Sequence, residues 1–246
     1  MIHSGSRHLG YEVCQLYQKL AYQKLNDHSF TIRGERDRII SSLKAKGREK
    51  EIESSIQKML ANTKFTSVPK DLCYLEGTDV ADYLSDMGIL ERFADLNRLA
   101  MIQDIIDYLG LHSVNVFTTQ HNYIDLNRYI LRKGAVSAEK GQRLIIPMNM
   151  RDGSLICEGL GNSEWNYSAP HGAGRLMSRS KAKSSLSMDE FRDSMKDIYS
   201  TTVVQSTIDE SPMAYKPVRD IVSQIGDTVV IKKIIKPIYN CKAASC

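Results

Sequence analysis

The chain has 246 residues, 42% hydrophobic and 25% charged, which is ordinary for a folded globular protein and argues against a disordered or fibrous one. A formal net charge of +4 is too small to mark a nucleic-acid binder by itself, while five cysteines with no CxxC pair argue against a disulfide framework or zinc ribbon and fit a reducing cytoplasm. No run of eighteen apolar residues is present to span a membrane, and Met1-Ile2-His3-Ser4 has neither the basic nor the apolar region of a signal peptide.

In chain order, Val13, Leu16, Tyr17 and Leu20 recur at helical spacing and predict an amphipathic helix over residues 11–22. Residues 35–60, with Ile39, Ile40, Leu43, Ile52, Ile56 and Leu60 as apolar positions, predict two helices broken near Gly47. Residues 30–64 thus read as an inserted helical hairpin whose Lys44, Lys46, Arg48 and Lys50 form a solvated face. A third helix is expected from Asp79 through Leu84. A fourth follows over 90–109, where Phe93, Leu96, Leu99, Ile102, Ile105 and Ile106 make an apolar stripe that Gly110 ends. Residues 114–117 read as a short strand leading to His121-Asn122. Strands are expected at 143–146 and 154–157 around a loop rich in turn residues at 147–153, then a helix over 188–198 and a strand pair at 228–231 and 234–235. Without an internal repeat or low-complexity linker, the pattern predicts one α+β domain carrying the helical insertion.

The densest chemistry lies in Ser168-Ala169-Pro170-His171-Gly172-Ala173-Gly174-Arg175, followed by Leu176-Met177-Ser178-Arg179. It sets an imidazole among glycines and two arginines, where backbone amides and guanidinium groups gather around a phosphate. A neutral imidazole, ordinarily with a pKa of about 6.5, is nucleophilic at neutral pH without an adjacent base and suits a covalent nucleotidyl acceptor. Arg175, Arg179, Lys181 and Lys183 form a local basic cluster, able to track a phosphate backbone or simply to solvate a helix face. By itself a His-Gly pair also fits a plain turn.

Taken with His3-Ser4-Gly5-Ser6-Arg7, Gln120-His121-Asn122-Tyr123, Arg132-Lys133-Gly134-Ala135, Gly159-Leu160-Gly161-Asn162 and Pro212-Met213-Ala214-Tyr215-Lys216, the octet resembles the RtcB family of RNA-splicing ligases. The motifs keep that family's order across nearly the whole chain. The resemblance implies an RtcB-like α+β ligase domain over residues 1–246 that is truncated at its N-terminus. The family's D-x-x-C and N-H-F metal motifs would lie ahead of Met1. It implies an enzyme of RNA repair or tRNA splicing that joins RNA 3′-phosphate or 2′,3′-cyclic phosphate ends to 5′-hydroxyl ends, using GTP and Mn2+. His171 would be the nucleophile that takes GMP from GTP before the guanylyl group passes to the RNA 3′-phosphate and a 5′-hydroxyl displaces GMP. His3 and His121 would be manganese ligands. The GMP site would comprise Asn122, Pro147, Asn149, Met150, Ser168, Gly172, Ala173, Gly174 and Arg175, with Tyr215 and Lys242 at the guanine. The hairpin lysines then become an alternative RNA contact. RNA is the implied partner, together with an archease-like activator, for a cytoplasmic monomer with no membrane association. Two other readings stay open: a non-catalytic nucleotide- or RNA-binding remnant, and a metal-dependent phosphoesterase using the same histidines.

Overall fold

In the computed structural model, which describes residues 1–63, 67–112 and 115–242, the chain separates into two units, Met1–Gln103 and Asp104–Cys246. The first is built from α1 (Arg7–Asn26), α2 (Ser29–Ala45), α3 (Ile52–Asn62) and most of α4 (Thr78–Leu109). Helix α1 runs antiparallel to α4: the Tyr17 hydroxyl donates to Asp86 Oδ2 at 2.7 Å, and Lys24 Nζ meets Asp79 Oδ2 at 2.5 Å. The predicted hairpin is α2 and α3, joined through Gly47, with Ile39, Ile40, Leu43, Ile52 and Ile56 half-buried along it. Two helices were expected where α4 is continuous. Gly88 lies between them and costs about 1 kcal/mol relative to alanine, but it keeps its N–H, and no proline interrupts the ladder. The predicted stop is real. Gly110 adopts φ +61° and its N–H donates to Asp107 O, while Leu111 N–H donates to Ile106 O, the paired bonds of a Schellman cap.

The strand expected at 114–117 does not form over 115–117, and Val114 lies outside the described residues. Phe117 instead packs its ring 5.5 Å from the Arg143 guanidinium. The first strand is β1 (Asn122–Asp125), paired antiparallel with β2 (Ile130–Lys133), and Asp125 Oδ1 takes the N–H groups of Asn127 and Arg128 to close the turn. β3 (Ala135–Ser137) follows directly. β4 (Arg143–Pro147) and β5 (Ser154–Gly159) form the expected hairpin, one and two residues longer than predicted. β6 (Ser168–Pro170) pairs with β3, and β7 (Val229–Ile235) pairs with β5. The late strand pair is therefore one bulged strand: the register passes from Ile156 opposite Lys233 to Cys157 opposite Ile231, so Lys232 is the extra residue that broke the alternation in the sequence.

Leu144 and Ile146 of β4 face Cys157 and Leu155 of β5, and with Val136, Ala169, Ala173, Ile225 and Val229 they form the main core of the second unit. Cys157 is fully buried there, its thiol pushed up to about 11 by burial, which makes it an inert packing residue. A second cluster collects Met150, Phe191, Met195 and Ile208. It draws on α6 (Met188–Ser194), which follows α5 (Arg179–Ser185), and each of these helices is started by a serine whose side chain accepts a backbone N–H. The helix expected to reach residue 198 stops at Ser194 because the chain tightens into turns that carry Met195 and Ile198 onto this cluster. A short helix α7 (Val218–Val222) completes the unit. Among the described residues the first unit is helical and every strand lies in the second, beside short helices, the segregation expected of an α+β chain. No helix among the described residues is long and apolar enough to cross a membrane.

Candidate active site

Strand register brings three separated motifs to one peptide. β1 and β2 place Asn122 opposite Lys133, so the next residues along, His121 and Gly134, also face each other, and Gly134 N–H donates to His121 O at 2.9 Å and to Asn122 Oδ1 at 3.0 Å. β3 and β6 place Ala135 opposite Pro170, which sets Gly134 opposite His171. His171 Nδ1 lies 2.5 Å from Gly134 O. A carbonyl oxygen only accepts, so Nδ1 carries the proton in this bond, and Nε2 is the ring nitrogen it leaves uncommitted. The rings of His121 and His171 stack with centroids 4.9 Å apart and planes inclined by 20°. Gly134 holds φ +67°, and a Cβ there would stand 3.4 Å from His171 Cε1. Gly134→Ala is therefore expected to strain the turn by about 1–2 kcal/mol through its left-handed φ, the ring itself standing at ordinary contact distance. Urea unfolding reads this, and an unchanged midpoint would mean that the turn absorbs the methyl group without strain.

Behind this junction Arg132 is buried, with its guanidinium donating to Ser168 Oγ at 2.9 Å, Tyr123 OH at 3.1 Å and Asp125 Oδ2 at 2.9 Å. The Ser168 hydroxyl in turn donates to Asn166 O at 2.8 Å. One arginine thus locks the β1–β2 hairpin, which carries His121 and Asn122, to the strand that leads into His171. Its charge is matched: burial works against the Asp125 carboxylate, but Arg132 and the two turn N–H groups hold it below the usual aspartate range.

The loop after His171 is pinned on both sides. Ala173 N–H donates to Pro147 O at 3.2 Å, and Gly174 O and Leu176 N–H pair with Lys216 and Ala214 at 3.1 and 2.9 Å. That ladder sets Arg175 beside Tyr215, whose ring centroid lies 5.0 Å from the guanidinium. Arg175 donates to Met177 O, Asp209 O and the Tyr215 hydroxyl, so its fork braces the loop as well as standing at the site. The Tyr215 hydroxyl donates to Glu210 Oε2 at 2.6 Å, Lys242 Nζ lies 3.6 Å from the same oxygen, and Arg179 Nη1 is 2.5 Å from Oε1. Burial and the Glu210 bond push the Tyr215 hydroxyl up to about 12, so it stays a neutral donor. Burial opposes the Glu210 charge, but Tyr215, Lys242 and Arg179 outweigh it and hold that carboxyl below its ordinary range.

Other expected site residues are engaged within the chain. Asn149 accepts from the Arg151 and Asp152 N–H groups and donates to Asp152 Oδ2, closing its own loop. The Met150 side chain is fully buried in the second core. Arg179 and Lys183 pair with Asp209, and Arg175 Nη1 lies 3.9 Å from Glu210 Oε1, so three of the four cations of the basic cluster have a carboxylate partner. His3 is exposed in the first unit, on a segment that Asn97 Nδ2 holds through Ser4 Oγ and Gly5 O at 3.2 and 3.1 Å. Among the described residues no three His, Cys, Asp or Glu side chains converge to hold a metal ion. Gly134, Arg132, Glu210 and Asp209 were not singled out as site residues from the sequence. Only the acidic pair ahead of Pro212 and the glycine of the Arg132-Lys133-Gly134-Ala135 motif were visible signals.

Asp125, Asp152 and Glu210 all sit below their ordinary carboxylate values, mostly through arginine, lysine or hydroxyl partners working against burial. Each binds fewer protons folded than unfolded near pH 4, so its contribution is complete above the unfolded-state value of about 4 and is lost as pH falls through the lower folded value. Urea midpoints should be flat from neutral pH down to about 5 and drop steeply below it. Glu210→Gln should reduce the slope, and an unchanged slope would remove Glu210 from the acid response.

A model of the tRNA-splicing ligase RtcB family matches residues 1–243. The RNA-splicing ligase RtcB of Escherichia coli strain K12 is 35% identical over 216 residues, which is 77% of this chain and 50% of that protein. The tRNA-splicing ligase RtcB of Aeropyrum pernix is 28% identical over an alignment of 275 residues, 96% of this chain and 49% of that protein. The chain spans about half the length of these curated relatives.

Proposed function

The chain belongs to the tRNA-splicing ligase RtcB family, and on that premise we propose that it acts as a GTP-dependent RNA ligase that joins 3′-phosphate or 2′,3′-cyclic phosphate ends to 5′-hydroxyl ends. The observation that carries this reading is the His171 imidazole, fixed by Gly134 O at Nδ1 and stacked on His121. His171 Nε2 attacks the α-phosphorus of GTP, the N–P bond forms and pyrophosphate leaves. The positive charge that builds on the ring is borne by Nδ1–H against the Gly134 carbonyl. The backbone of the Gly172–Gly174 loop faces the phosphates, and Tyr215 and Lys242, set by Glu210, hold the guanine. An oxygen of the RNA 3′-phosphate then takes the guanylyl group and frees the imidazole. Attack by a 5′-hydroxyl on that activated phosphate forms the new phosphodiester and expels GMP. RNA repair or tRNA splicing is the setting, with a monomer and an archease-like activator as the proposed assembly.

Manganese would neutralise charge on the reacting phosphates. His121 and His3 are the expected donors, but two imidazoles fall short of the three or four protein ligands of a tight site, so the described residues do not by themselves fit that ion. That shortfall favours, as a second reading, a chain that binds nucleotide without forming the adduct. Incubation with GTP labelled at the α-phosphate, with and without manganese, separates the two. The ligase reading expects GMP bound through an acid-labile, base-stable bond that maps to His171, and label retained elsewhere or not at all defeats it.

A further inference from the structure

Tyr199 and Tyr239 stand out from the second unit, 70% and 50% exposed, with Ile238 beside them at 90%. Their ring centroids are 5.6 Å apart and their planes are inclined by 32°. The arrangement is held by the backbone: the two segments bridge in parallel at these residues, and Asn240 N–H donates to Tyr199 O at 3.0 Å. The Tyr239 hydroxyl also meets Thr201 Oγ1 at 3.2 Å. Both rings are therefore preset and lose little freedom when something stacks on them.

The same clamp fixes the edge of the candidate nucleotide site. Lys242 N–H donates to Thr202 Oγ1 at 3.0 Å, and its ammonium reaches Glu210, which holds Tyr215. The aromatic pair is thus joined to the guanine-facing residues by one short run of backbone. Exposed phenol rings beside a cation and a nucleotide site suit unpaired bases, whose π-faces stack without regard to sequence. Resting on the ligase reading, we infer that Tyr199 and Tyr239 form a stacking platform for unpaired bases of a single-stranded RNA whose end enters the His171 site.

The full chain and a short fluorescein-labelled single-stranded RNA ending in a 3′-phosphate test this. Tyr199→Ala and Tyr239→Ala should each raise the Kd for this RNA about tenfold, the scale of one stacked base. Phenylalanine at either position should restore binding, because the ring carries the stack. GMP labelling, which needs no RNA, should stay at the wild-type rate in all four variants and so report a folded chain with Lys242 in place. Unchanged RNA binding in both alanine variants overturns the platform. Labelling that falls in step with binding overturns it too, since the pair would then support Lys242. Tyrosine-dependent RNA binding without any GMP labelling of the wild type would retain the platform and defeat the ligase reading. Labelling without RNA binding would defeat the platform alone.

Discussion

His171→Ala is expected to abolish GMP labelling, to below roughly 0.1% of the wild-type rate, the scale on which removal of a covalent nucleophile acts. The cause is specific. The ring is held through Nδ1 by Gly134 O at 2.5 Å, so its Nε2 is the nitrogen left to attack, and the buried Cys157 thiol, held protonated by a pKa of about 11, offers no substitute. GTP binding should survive, because Tyr215, Glu210 and Lys242 hold one another without His171. Free imidazole supplied to the variant should recover some transfer by entering the space left beside His121. Nitrogen NMR of the wild type should find the neutral His171 ring protonated at Nδ1. Labelling that persists in His171→Ala, or a ring protonated at Nε2, would refute the assignment.

Arg132→Met should destabilise the second unit by about 3–5 kcal/mol, the cost of stripping one partner from a buried ion pair. The guanidinium is 1% exposed and serves Asp125, Tyr123 and Ser168 at once, so its loss leaves the Asp125 carboxylate without the cation that holds it ionised. Arg132→Lys should restore little, since one ammonium cannot span donors set for a planar fork. Combining Arg132→Met with Asp125→Leu should recover part of the loss, because no charge is then stranded. Urea unfolding followed by the Trp165 fluorescence reads all three. The same variant should also slow GMP labelling, because Arg132 ties the strand of His121 to the strand before His171. A loss below about 1 kcal/mol in Arg132→Met would mean that the cluster is solvated and not a lock.

Local pattern in the sequence was enough for the elements whose neighbours are close in the chain. The stripes of residues 11–22 and 90–109, the stop at Gly110 and the β4–β5 hairpin follow from side-chain period and turn chemistry, which act over a few residues. The candidate histidine was legible too, since His171 stands in a motif whose residue types suit phosphate. Period could not foresee that α4 runs unbroken through Gly88, because one glycine's cost is small beside a helix whose ladder continues on both sides. Nor could it foresee the bulge at Lys232, which depends on the partner strand.

The site itself was decided by tertiary structure. Gly134 gains its role only because two independent registers, β1 with β2 and β3 with β6, meet at its peptide and bring residues 121 and 171 to either side of it. Arg132 stood in the sequence only as part of a motif, and its bracing role exists because three partners from distant positions close around it. Asn149 and Met150 looked available for a ligand until their side chains closed a turn and filled a core. Sequence determined which chemistry the chain possesses, because residue type sets nucleophilicity and charge. Strand register and burial, which couple residues far apart in the chain, decided which of those groups lie together and which hold the others in place.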